Sequence, residues 1–149
     1  MLTTRYLADL LARKLPEFAD PESQILEAQG LDAIMALLSS FNSVRYPAVI
    51  LEGRSSGNIQ VVEGPVDSHT ESIWVLLQLG NEDEEARIYE EAFQLGKRIL
   101  IHLLQDKSDP HLRGWDHRRI SYMKRYGGPN ARGWEFVLSF AEDTSLLPD

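Results

Sequence analysis

Residues 118–142 read RRISYMKRYGGPNARGWEFVLSFAE, two alternating runs on either side of a glycine-rich break. In the second run Trp134, Phe136, Leu138 and Phe140 fall on one side of an extended chain, and Glu135, Val137, Ser139 and Ala141 on the other, because side chains in a strand alternate with a period of two. An aromatic face of that kind has to be covered. The first run sets Ile120, Tyr122, Lys124 and Tyr126 against Arg119, Ser121, Met123 and Arg125, so its second face is basic and wet. Gly127, Gly128, Pro129 and Asn130 supply positive φ and an end to pairing. The whole reads as a long β-hairpin.

Upstream of the hairpin lies the best helix signal. Asn81 stands as a cap with Glu84 at capping-box spacing, and Glu82, Asp83 and Glu85 add negative charge where the helix dipole is positive. Ala86, Tyr89, Phe93, Gly96, Leu100 and Leu103 then recur at helical spacing, widened by Ala92 and Ile99. Gly96 costs about 1 kcal/mol relative to alanine in a helix, and close approach to a sheet is the expected compensation.

Before that helix the texture is that of strands. Residues 45–53 (RYPAVILEG), 59–64 (IQVVEG) and 72–79 (SIWVLLQL) are short and apolar, with RSSGN read as a turn between the first two. Pro47 places the first at an edge or a strand start. The third is apolar on both faces, with Ile73, Val75, Leu77 and Leu79 on one and Trp74 and Leu76 on the other. It must be covered on both, by its own helices or by a neighbouring subunit.

The first 44 residues read as helical. A helix over 2–14 is capped by Thr3 or Thr4 and closed by Pro16, a second runs from Asp20-Pro21 to about Ala28, and a third places Leu31, Ile34, Leu38 and Phe41 on one face. The expected fold is one α+β domain over 1–149, a helical part at 1–44 and an α+β core at 45–149. Its sheet is mostly antiparallel, of about four to five strands, with helices packed on one face.

Composition narrows the function classes. A chain of 149 residues buries roughly 70% of its unfolded surface and needs no staples. Without cysteine it has no disulfide or thiolate metal site, which suits a reducing compartment, and the absence of an apolar leader or span leads to the expectation of a soluble, cytoplasmic protein. A net charge of −8 argues against coating nucleic acid, which requires cations on phosphates. Yet residues 107–132 carry seven basic side chains against two acidic ones. Such segregation steers unlike surfaces together.

No catalytic signature is present. Ser39-Ser40 and Ser55-Ser56 sit in no nucleophile elbow, Gly127-Gly128 leads into no phosphate-binding helix, and His111 and His117, with Asp109 and Asp116, match no compact metal motif. His69 reads as part of a polar turn and His102 as a helix-surface histidine. Two rival readings use the basic hairpin as a groove: a metal-dependent nuclease with Glu52, Glu63, Asp67 and Glu71 as ligands, and a nucleic-acid-binding module in which Trp115, Tyr122 and Tyr126 stack bases. The preferred reading is an interface between subunits. Arg118, Arg119, Lys124, Arg125 and Arg132 of the hairpin meet Glu82, Asp83, Glu84 and Glu85 of the next copy, with Trp74 and Leu76 offering a second apolar surface. Reversing Lys124 and Arg125 to glutamate is then expected to weaken self-association and leave the fold intact.

The order of elements resembles the tail terminator, or tail completion, proteins of long-tailed bacteriophages, such as that of phage lambda. The N-terminal helix, RYPAVILEG, SIWVLLQL, the acidic-started helix from Asn81 and the closing run WEFVLSFAE carry the resemblance over about 45–143. It implies a non-enzymatic α+β protein without cofactor or metal, acting in the cytoplasm during assembly and then in the virion tail. Six copies would form a ring on the tube, with tail-tube protein and a head-neck protein as partners. An extra helix before Arg45 and the long segment SDPHLRGWDH depart from the family pattern.

Overall fold

The computed structural model describes residues 1–39, 44–80 and 84–147. The elements run α1 (Thr4–Lys14), α2 (Pro21–Gln24), β1 (Ile25–Glu27), α3 (Leu31–Ser39), β2 (Ala48–Val61), β3 (Pro65–Gln78), α4 (Glu85–Gln105), a 3-10 turn (Pro110–Leu112), β4 (Trp115–Tyr126) and β5 (Ala131–Asp143). Five strands form one sheet in the order β1-β2-β3-β5-β4. Every pairing is antiparallel except the short parallel contact of β1 with β2. The fold is α+β, as the alternation and element order predict.

The closing hairpin is as read. Its register runs from Tyr126↔Arg132 to Ile120↔Leu138, and Gly128 takes the turn's positive φ of 83°. Phe136, Leu138 and Phe140 join the main core with Ile73, Val75, Val49 and Leu51, beneath Leu7, Leu10 and Leu11 of α1 and Leu95, Ile99 and Leu103 of α4. Gly96 lets α4 settle onto the sheet: a Cβ there would lie 2.3 Å from the Phe136 ring, well inside contact distance. The buried stripe of α4 is turned from the predicted one, since Ile88 and Leu95 are buried and Ala86 is exposed. Thr3 caps α1 by accepting from the Tyr6 N–H at 3.1 Å.

Three readings are corrected. RSSGN is no turn: β2 passes straight through it, absorbing the irregularity as register shifts between Leu51 and Gly53 and between Arg54 and Ser56. β-Bulges tolerate a positive-φ glycine inside a strand, and Gly53 has φ 77°. The turn falls instead near Gly64, and β3 starts at Pro65, seven residues before the apolar run suggests. The helix from Asp20 ends at Gln24, because Ile25–Glu27 pairs with Val49–Leu51 as an edge strand. The side chain of Gln24, folded back between the Asp20 N–H and the carbonyls of Glu17 and Pro47, closes that short turn.

Helices do pack on one face, α1 and α4 together, but α3 lies on the other. Ile34 is buried there against Ile50, Trp74 and Leu76. Of the predicted α3 stripe, Leu31 is exposed, and Phe41 lies outside the described residues, as do Ser40, Asn81, Glu82 and Asp83. Helix α4 is capped at Glu84, without a side-chain hydrogen bond.

Candidate subunit interface

Trp74 and Leu76 point away from α4, as their alternation with Ile73 and Val75 requires, but no subunit is needed to cover them. Both are buried within the chain. Ile34 closes one side of Trp74, the Arg125 guanidinium lies 4.9 Å from its ring centroid, and its indole N–H donates to Glu52 at 3.3 Å.

The basic side chains split into two groups. Arg125 donates through Nε and Nη2 to Glu135 Oε1 at 2.8 and 2.6 Å, Lys124 Nζ sits 4.2 Å from the Tyr89 ring centroid, and Arg132 is buried. Arg132 also donates to the carbonyls of Gly128 and Ala131, stacks over Tyr126 and pairs with Glu85 at 3.2 Å. Of the predicted pairing of basic hairpin with acidic helix start, one pair, Arg132 with Glu85, is thus made within one chain. Arg125 is a tie of the fold, so Arg125→Glu strains the fold itself by facing Glu135, contrary to the sequence expectation. Lys124 remains exposed at its edge, and Glu84 is exposed at the start of α4.

Arg118 and Arg119 remain open. They lie where β4 carries four residues, 116–119, against the single Ser139 of β5. The excess bulges off the sheet and presents His117, Arg118 and Arg119 to solvent; Asp116 holds Arg118 at 3.3 Å. Beside it the sheet's second face is uncovered. Ser56, Thr70 and Ser139 align across three strands, as do Asn58, Ser68 and Ala141, and with Asp116 and Arg119 they edge a shallow depression of about 500 Å³.

On the opposite face of the same strands lies a group that sequence reasoning named singly but did not bring together. Asp67, His69 and Glu71 occupy alternate positions of β3 and are all buried. His69 Nε2 is 2.9 Å from Glu71 Oε2, its Nδ1 lies 3.6 Å from Asp67, and its ring stacks on Phe140. Arg54 binds Asp67 at 2.6 Å, and the Leu2 N–H donates to Glu71 at 3.0 Å. A chain that buries carboxylates must pair them, and this row does so with a histidine, an arginine and the N-terminal backbone. The signal was available in the alternation of Val66, Ser68 and Thr70 with Asp67, His69 and Glu71. The polar-turn reading of His69 is corrected accordingly.

The four acids of the nuclease reading do not converge. Glu52 bonds Ser72 and Trp74 on the second face, Asp67 and Glu71 belong to the row on the first, and Glu63 is exposed at the β2–β3 tip. Among the described residues no group of three or more His, Asp or Glu is placed to hold a metal ion. His111 stacks on Tyr6 and bonds Asp109 at 2.7 Å, whereas His117 meets Trp115 edge-on. The His111 backbone N–H and then its ring hold the Asp109 carboxyl below the usual carboxylate range. Burial first, then the Asp106 carboxylate that accepts its hydroxyl at 2.7 Å, push the Tyr6 phenol well above its ordinary value. No described helix is long and apolar enough to cross a membrane.

Comparison with protein-family models finds no match to the chain, and none is found among curated proteins.

Proposed function

We propose that this chain is a non-enzymatic structural subunit that assembles with copies of itself into a ring, six to a turn, to end a phage or prophage tail tube and join it to the head. It needs no cofactor, acts in the cytoplasm during assembly and remains in the virion tail. The observation that carries the reading is the division of the ionisable groups. Those inside the molecule close on one another in pairs and rows, as Arg125–Glu135, Arg132–Glu85 and Asp67–His69–Glu71 do, while an uncovered sheet face and the Arg118–Arg119 bulge are left to solvent. A protein that works by contact leaves broad, shallow surface of this kind, whereas an enzyme gathers polar groups in a concave site. The resemblance of the element order in the sequence to that of tail terminators is what suggests the identity of the contact.

The test is polymerisation of a tail-tube protein from the same phage or prophage, followed by electron microscopy with and without the chain. Tubes ending in a ring of this protein and stopped at shorter length are the expected result. Tubes that grow unaltered, with no bound protein at their tips, overturn the reading.

A further inference from the structure

The sheet has two open edges, and they differ in chemistry. Strand β1 covers only Val49–Leu51 of β2. From Arg54 to Val61, among the described residues, nothing pairs with the outer side of β2. A long edge strand offers a row of free N–H and C=O groups, and proteins normally protect it with lysine, proline or a covering element. Residues 55–62, SSGNIQVV, contain no charge and no proline. Ile59, Val61 and Val62 are exposed at 49%, 64% and 88%, an apolar content that solvent alone does not explain. At the tip stand the exposed acids Glu63 and Asp143.

The outer edge of β4 is the counterpart. It exposes Tyr122, Met123 and Tyr126 and carries the cations Arg118, Arg119 and Lys124. Tyr, Met and Arg are the side chains enriched where proteins meet. Aliphatic with acid on one edge and aromatic with base on the other are complementary. Strand direction agrees. Because β2, β3, β5 and β4 are successively antiparallel, β4 runs opposite to β2. A second copy placed beside the first in the same orientation therefore brings its β4 antiparallel to the first copy's β2.

We propose that the partner of the β2 edge is the β4 edge of a second copy of this chain, the two strands pairing to run one sheet from subunit to subunit. This rests on the self-assembly reading above and gives it a named contact. The contact is heterologous, and repetition closes a ring where the rotation from copy to copy divides a full turn. It also covers both edges with one kind of interface, whereas a two-fold contact of β2 with β2 leaves β4 open. The acids Glu63 and Asp143 meet Arg118 and Arg119 and set the direction of pairing.

Two variants of the full chain separate the possibilities. Ile59→Lys with Val61→Lys blocks the β2 edge, and Arg118→Glu with Arg119→Glu blocks the β4 edge. All four side chains are exposed, and circular dichroism should match that of the unaltered chain. Where the unaltered chain forms oligomers, each variant alone should have the mass of one chain, with association at least tenfold weaker. An equimolar mixture should form dimers and stop there, since one good β2 edge meets one good β4 edge. Oligomers of unchanged mass from either variant, or a mixture that stays as single chains, overturn the edge pairing while leaving self-assembly standing. An unaltered chain that never associates overturns both.

Discussion

The two halves of the sheet are built on opposite plans. At the level of Leu51, Ile73 and Phe136 the sheet is apolar on both faces, closed by α1 and α4 on one and by α3 on the other. A few residues along the same strands, at the level of Ser56, Thr70 and Ser139, one face is hydroxyl-lined and open while the other buries Asp67, His69 and Glu71. The first half is held chiefly by excluded water, with the Arg125–Glu135 tie on its second face, and the second by its row of paired polar groups. The second leaves an open face and the free stretch of β2, whereas the exposed edge of β4 runs beside both, from Arg118 and Arg119 to Tyr122, Met123 and Tyr126.

The largest effect is expected in the apolar half. Trp74→Ala should cost about 3–5 kcal/mol, the range for removing a large buried aromatic, read as a lower midpoint in denaturant. In the polar half the prediction depends on which face is changed. Glu71→Ala removes the partner of His69 and of the Leu2 N–H and should cost about 3 kcal/mol, because it strands buried polar groups. Thr70→Ala, one residue away on the open face, should stay within about 0.5 kcal/mol. Equal effects of the two would contradict the assignment of faces.

Along the sheet's edge, beside both halves, lies the basic strand β4. Arg125→Glu sets a second carboxylate against Glu135, which is largely buried, and should cost about 2 kcal/mol after allowance for the partly exposed arginine. Arg118→Glu should leave the unfolding midpoint nearly unchanged. The smallest effect is at Tyr6, where Tyr6→Phe should cost about 1 kcal/mol at neutral pH through loss of the hydrogen bond to Asp106. The folded phenol titrates above its unfolded value, so its contribution is whole below about pH 10 and is lost as pH rises past that point through the folded value. A flatter alkaline limb in Tyr6→Phe than in the unaltered chain, measured by thermal unfolding against pH, checks the sign.

How far the sequence could be read follows the same division. Where one face is apolar the period announces itself: residues 134–140 place every aromatic correctly, and Gly96 is where the helix must touch Phe136. Where a strand buries charge and exposes hydroxyls, the alternation is intact but inverted, so His69 reads as part of a polar turn and Asp67 and Glu71 as candidate metal ligands. RSSGN carries turn-forming residue types, yet bulges take up the irregularity and the strand continues. The basic residues of the hairpin were visible as a set, but which of them the fold consumes was not. That depends on Glu85 and Glu135 reaching Arg132 and Arg125 in space, with no trace in local spacing.

The measurement that bears most directly on the central claim is the solution mass of the unaltered chain by light scattering, over a range of concentration and salt. Association toward six copies is expected as concentration rises, weakened by salt where Arg118 and Arg119 meet acids across the contact. A mass of one chain at every concentration and every salt would contradict it.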